Sequence, residues 1–170
     1  MLSRLFVLMQ YLLPKYLLTA LVYRLARIGV VPVKNALIRG FLKLYDVNTD
    51  EVRGRVPEDF RTFNDFFIRE LEDGARPIDP DARAIVAPAD GTLSQAGTLR
   101  GNRILQAKGI DYTLEDLLAA DLDKATEFAG GAFATIYLAP YNYHRVHAPV
   151  DGELVTAHYV PGDLFSANSK

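Results

Sequence analysis

Tyr143-His144-Arg145-Val146-His147-Ala148-Pro149-Val150-Asp151-Gly152 is the stretch whose reading decides the fold. It holds two of the three histidines in the chain and, with Glu153 and Leu154, closes on the pattern A-P-x-D-G-x-L. The same pattern stands at Ala87-Pro88-Ala89-Asp90-Gly91-Thr92-Leu93. Asp-Gly is hairpin-turn chemistry, so the repetition predicts two similar hairpins that meet in space. An aspartate of one would then face a histidine of the other. Imidazole is the side chain whose ordinary pKa lies nearest neutrality, which makes such a meeting an acid–base pair. Asp90 and Asp151 both qualify, and spacing alone does not choose between them. Either one is also explained by turn geometry without any chemistry.

Working outward, the chain divides by pattern. It has 170 residues, 49% hydrophobic and 24% charged, a globular composition. No cysteine is present, which excludes disulfides, thiolate nucleophiles and cysteine-based zinc sites. The net charge of −2 hides an asymmetry. Residues 1–45 carry seven bases and no acid, whereas twelve bases stand against twenty-one acids in the rest. A basic end of this kind points to an anionic surface as partner.

Residues 1–45 show helical spacing of apolar residues, through Leu2, Leu5, Phe6 and Met9, then Leu18, Leu21, Val22 and Leu25. Pro14 interrupts the first run, Gly29 and Pro32 stop the second, and a third helix is expected over 33–45. None of these runs reaches the ~20 apolar residues that span a bilayer. Wide apolar faces edged by Arg, Lys and Gln describe helices lying in a membrane interface; a helical hairpin packed into a core shares the same pattern. Residues 46–83 read as a linker and a short helix, with Thr62 as its cap and Asp65 three residues on. From 84 onward the pattern is that of short strands, expected over 84–87, 92–99, 104–106, 133–138 and 153–160, with a short helix opened by Thr113. The fold class is therefore α+β: amphipathic helices first, then a mainly antiparallel β domain with two similar hairpins, incomplete at its C-terminal end.

The histidines admit more than one chemistry. His144 and His147 lie three apart, on opposite faces of a strand but on one face of a helix or turn. With His158 they make three, so a zinc hydrolase is one reading, although neither H-x-H nor H-x3-H spacing is present. Lys108 is a candidate anion contact.

The motifs Phe63-Asn64-Asp65-Phe66-Phe67-Ile68-Arg69, Arg76-Pro77-Ile78-Asp79, Pro88-Ala89-Asp90-Gly91, Ile104-Leu105-Gln106-Ala107-Lys108-Gly109, Tyr143-His144-Arg145-Val146-His147 and Pro161-Gly162-Asp163-Leu164-Phe165-Ser166 together resemble the phosphatidylserine decarboxylase proenzyme family of bacteria. The resemblance covers essentially the whole chain. It implies a carboxy-lyase that converts phosphatidylserine to phosphatidylethanolamine and carbon dioxide. The cofactor it implies is a covalent pyruvoyl group, made when a Leu-Gly-Ser site cleaves itself. Asp90 and His147 match the family's relay that activates the serine, and His144 matches a position near the substrate. The implied partners are a phospholipid membrane surface, phosphatidylserine and the C-terminal α chain of the processed enzyme, with no nucleic acid and no metal. The implied location is the inner membrane, peripheral, on its cytoplasmic face. The serines here are Ser3, Ser94, Ser166 and Ser169, and none follows a glycine. The chain is thus expected to be the N-terminal portion of the β chain, lacking the pyruvoyl precursor and inactive alone. A non-catalytic membrane-binding module is the alternative.

Overall fold

The computed structural model describes residues 14–99, 103–106, 110–118 and 127–161. The helical run expected before Pro14 and the candidate anion contact Lys108 lie outside them. Helix α1 is Lys15–Ala26 and begins directly after Pro14. Helix α2 is Val31–Leu44, bent 110° from α1 across the Arg27 to Val30 break. Pro32 does not stop a helix here, as the sequence suggests, but sits in the first turn of α2. A first-turn residue has no intrahelical partner for its N–H, so proline is at no disadvantage there. Neither helix is long and apolar enough to cross a membrane on its own.

Helix α3, Phe63–Phe67, is one short turn and a half with a built start. Thr62 Oγ1 accepts a hydrogen bond from Asp65 N at 3.1 Å, satisfying one of the first-turn donors. Phe66 of α3 and Ile38 of α2 are fully buried against each other's neighbours Val47, Phe41, Phe60 and Phe63. Full burial of one such side chain contributes about 1.5–3 kcal/mol, so this cluster is what holds the helical half together. Lys34 is buried too. Its Nζ donates to Pro57 O at 2.7 Å, which pins α2 to the segment after it.

The β part holds two antiparallel pairs. Strand β1, Thr92–Thr98, pairs with β4, Ala132–Tyr137, with a register shift between Leu93 and Gln95. Ser94, at the shift, donates from its hydroxyl to Thr135 O at 3.0 Å. Strand β2, Arg103–Gln106, pairs with β3, Ile110–Thr113. β3 leads into α4, Leu114–Leu117, through a complete capping box between Thr113 and Asp116. Leu99 and Leu114 form a second, smaller buried cluster with Leu118 and Phe133 against them.

Two strand expectations differ from the structure. Residues 84–87 form no strand; a single backbone bond, Val86 N to Pro149 O at 3.0 Å, crosses from them. Residues 153–160 also form no strand, and all are exposed. A strand exists only where a neighbour takes its N–H and C=O groups, and among the described residues none lies beside 153–160. β3 goes unread in the sequence because Ile110-Asp111-Tyr112 runs straight into the helix cap at Thr113.

The two similar turns do meet. Val86 N donates to Pro149 O, and His147 N donates to Pro88 O at 2.8 Å. Counting each motif from its own proline, these are the same bond given in both directions. The strand leaving the first turn, β1, takes β4 as partner and not the arm that enters its own turn.

Candidate active site

The reciprocal bonds set the site. Holding His147 N on Pro88 O places the His147 backbone two residues from Asp90 in the facing turn. Asp90 and His147 then line one open cavity of about 580 Å³, together with Arg76, Tyr143 and Arg145. Each is engaged separately. Arg76 Nε donates to Asp90 Oδ2 at 2.6 Å, and Arg76 Nη2 donates to Glu51 Oε2 at 2.9 Å. That second bond holds the Glu51 carboxyl below the usual carboxylate range. His147 Nε2 lies 3.0 Å from the Tyr143 hydroxyl, with the two rings stacked at 5.6 Å. No hydrogen bond joins Asp90 to His147 among those of the described residues.

When the Tyr143 hydroxyl donates to Nε2, the His147 proton sits on Nδ1, free to meet a carboxylate. The ring then has a hydroxyl at one nitrogen and an open donor at the other, the polarity of an imidazole that activates a hydroxyl nucleophile. Gly91, next to Asp90, is needed for close approach. A Cβ there would lie 2.5 Å from Ile136 Cγ2 and 2.6 Å from Tyr137 O of β4.

His144 faces elsewhere. Its ring stacks on Phe67 of α3, centroids 4.1 Å apart and 23° between planes. Its Nε2 lies 3.0 Å from Ala139 O, and a carbonyl only accepts, so Nε2 carries the proton. Burial pushes its pKa below the ordinary histidine value, and the nearby Arg69 cation pushes the same way. On the far side, Phe67 lines an apolar groove of about 460 Å³ shared with Leu18, Val22, Tyr23 and Ala26 of α1.

Asp151 and His158 are exposed on the second turn and the arm beyond it. Among the described residues no three His, Cys, Asp or Glu side chains gather as a metal would require. Sequence reasoning singled out neither Arg76 nor Tyr143. Both lie inside quoted motifs, but a lone arginine or tyrosine gives no signal of its partner until the chain is folded.

The structure thus brings an imidazole and a carboxylate onto one cleft of an α+β chain. The family model described as phosphatidylserine decarboxylase matches residues 63–170, and one described as PSD matches residues 5–46. The phosphatidylserine decarboxylase proenzyme of Hahella chejuensis is 48% identical over 166 residues, 98% of this chain. That of Aliivibrio fischeri strain MJ11 is 50% identical over 160 residues, 94% of this chain. The chain belongs to the phosphatidylserine decarboxylase family, and it spans 56% of the length of each of these relatives.

Proposed function

We propose that this chain is the N-terminal portion of the β chain of an enzyme that converts phosphatidylserine to phosphatidylethanolamine and carbon dioxide. The observation that carries the reading is the exchange of backbone bonds between the Asp90 turn and the His147 turn, which puts both side chains on one cavity. Asp90 is the carboxylate that orients His147, and His147 takes the proton of a serine hydroxyl supplied by the C-terminal part. The Tyr143 hydroxyl on His147 Nε2 occupies the place that serine would take. His144, kept neutral by burial, assists loss of carbon dioxide or returns a proton to the substrate carbon.

The cavity wall fits a pyruvoyl group: a hydroxyl-binding imidazole and a carboxylate flank an opening large enough for a backbone end and a headgroup. Asp90, Tyr143 and His147 would border it. Bound there, the group supplies a carbonyl that holds the electrons released with carbon dioxide.

The C-terminal α chain is the partner we assign to residues 153–160. Leu154 is 83% exposed and Tyr159 89%, a side-chain pattern that a neighbouring strand would cover. The inner membrane's cytoplasmic face is the location we assign to the helical arm. Tyr16 is 79% exposed and Leu17 68%, on a segment with seven bases and no acid. The same arm supports the alternative, a membrane-binding module without catalysis.

The test is expression of the complete reading frame, with self-cleavage followed on a gel and phosphatidylethanolamine by chromatography. Cleavage and product in the parent, both lost in His147→Ala, are expected. Vesicle binding with neither would leave the module. Cosedimentation with anionic vesicles, weakened at 1 M salt, checks the membrane assignment.

A further inference from the structure

Four consecutive residues, 67–70, grip the loop that carries His144. The Phe67 ring lies on His144, and Ile68 O accepts from Arg145 Nε at 2.8 Å. Glu70 Oε1 pairs with Arg145 Nη1 at 3.2 Å. Between them stands Arg69, only 3% exposed. Its Nη2 donates to both Tyr141 O and Asn142 O, 3.1 Å each, while Nε and Nη1 find no partner among the described residues. A buried guanidinium with idle donors is costly to desolvate. An apolar side chain of similar volume would fill the space without that cost. What the guanidinium adds is one cationic donor fixed on two successive carbonyls, immediately before Tyr143 and His144. Asn142 completes the fastening, its Oδ1 accepting from Ala139 N at 2.7 Å, next to the carbonyl that orients His144.

We propose that Arg69 is a positioning residue for His144, acting through the carbonyl groups of Tyr141 and Asn142. The proposal rests on the reading of His144 as part of the decarboxylation machinery. It sets Arg69 apart from self-cleavage, because the His147 amide is fastened to Pro88 O in the facing turn, which Arg69 does not touch.

The experiment uses the full-length protein as parent, Arg69→Gln, Arg69→Lys and His144→Ala. Self-cleavage is measured on gels and decarboxylation as kcat and KM separately. A misplacement near 1 Å costs on the order of a hundredfold, so Arg69→Gln is expected to lower kcat by about tenfold to a hundredfold. KM should stay within about threefold and self-cleavage should match the parent. Arg69→Lys keeps a cation near the carbonyls and should recover part of kcat. An unchanged kcat in Arg69→Gln overturns the proposal. So does a joint fall of cleavage, kcat and melting temperature that lysine does not relieve, which is the mark of a general structural role. If Arg69→Gln yields no soluble protein, Arg69→Met is measured instead: lowered kcat with parental self-cleavage supports the proposal, and parental kcat or a joint fall of both overturns it. His144→Ala with parental kcat sinks the underlying reading of His144 instead, whatever Arg69 does.

Discussion

The two A-P-x-D-G-x-L turns share a sequence and an exchanged backbone bond, and differ in what surrounds the Asp-Gly pair. In the first, Gly91 presses against β4, Asp90 is bound by Arg76, and the chain goes on into β1. In the second, Gly152 has nothing within 4 Å among the described residues, Asp151 is exposed, and the chain goes on into an unpaired arm. The motif therefore specifies the bend and the backbone bond beside it, but not the role of its aspartate and glycine. What the bend's aspartate and glycine do is decided by the strand and the arginine that other parts of the chain bring to it.

Paired substitutions sharpen that contrast. The largest effect is expected at the aspartates. In the full-length protein, Asp90→Asn should slow self-cleavage by on the order of 10³–10⁴-fold, since the orienting carboxylate is lost. Asp151→Asn should leave the rate within about threefold, as expected of an exposed turn residue. Equal losses at both, in a time course on gels, would erase the distinction between the turns.

The glycines come next. Gly91→Ala forces a methyl onto Ile136 and the Tyr137 carbonyl, and backbone gives way poorly; the expected loss is about 1–3 kcal/mol by urea denaturation. Gly152→Ala meets open space and should stay within about 0.5 kcal/mol.

The smallest effect is a pH dependence that belongs to the packed His144. The pKa of His144 is lowered by folding, chiefly through burial. As pH falls through the ordinary value of about 6.5, the unfolded chain takes up a proton that folded His144 resists. Its contribution is thus full above that value and declines below it. The fall in melting temperature between pH 7.5 and pH 5.5 should be smaller in His144→Gln than in the parent.

Much of this was legible before folding. Thr62 and Thr113, each with Asp three residues on, announced helix starts that hydrogen bonds now fill. A strand read over 133–138 stands one residue earlier in the structure, at Ala132–Tyr137. The repeated turn gave the meeting of the Asp90 and His147 segments. What it could not give was pairing: residues 84–87 and 153–160 have strand-like composition but no neighbour to take their backbone groups. Nor could it show that Asp90 would sit on Arg76 and His147 on Tyr143, since these contacts depend on residues fourteen and four positions away whose directions only the fold sets.

The crossed amides of Val86 and His147 behave as a single latch. Each bond ties the loop that the other also ties, so the cleft wall and the path into β1 are fastened at the same place. Protons on those two amides should leave for deuterium at a common pace, and any force that pulls on the second turn would be felt at the first.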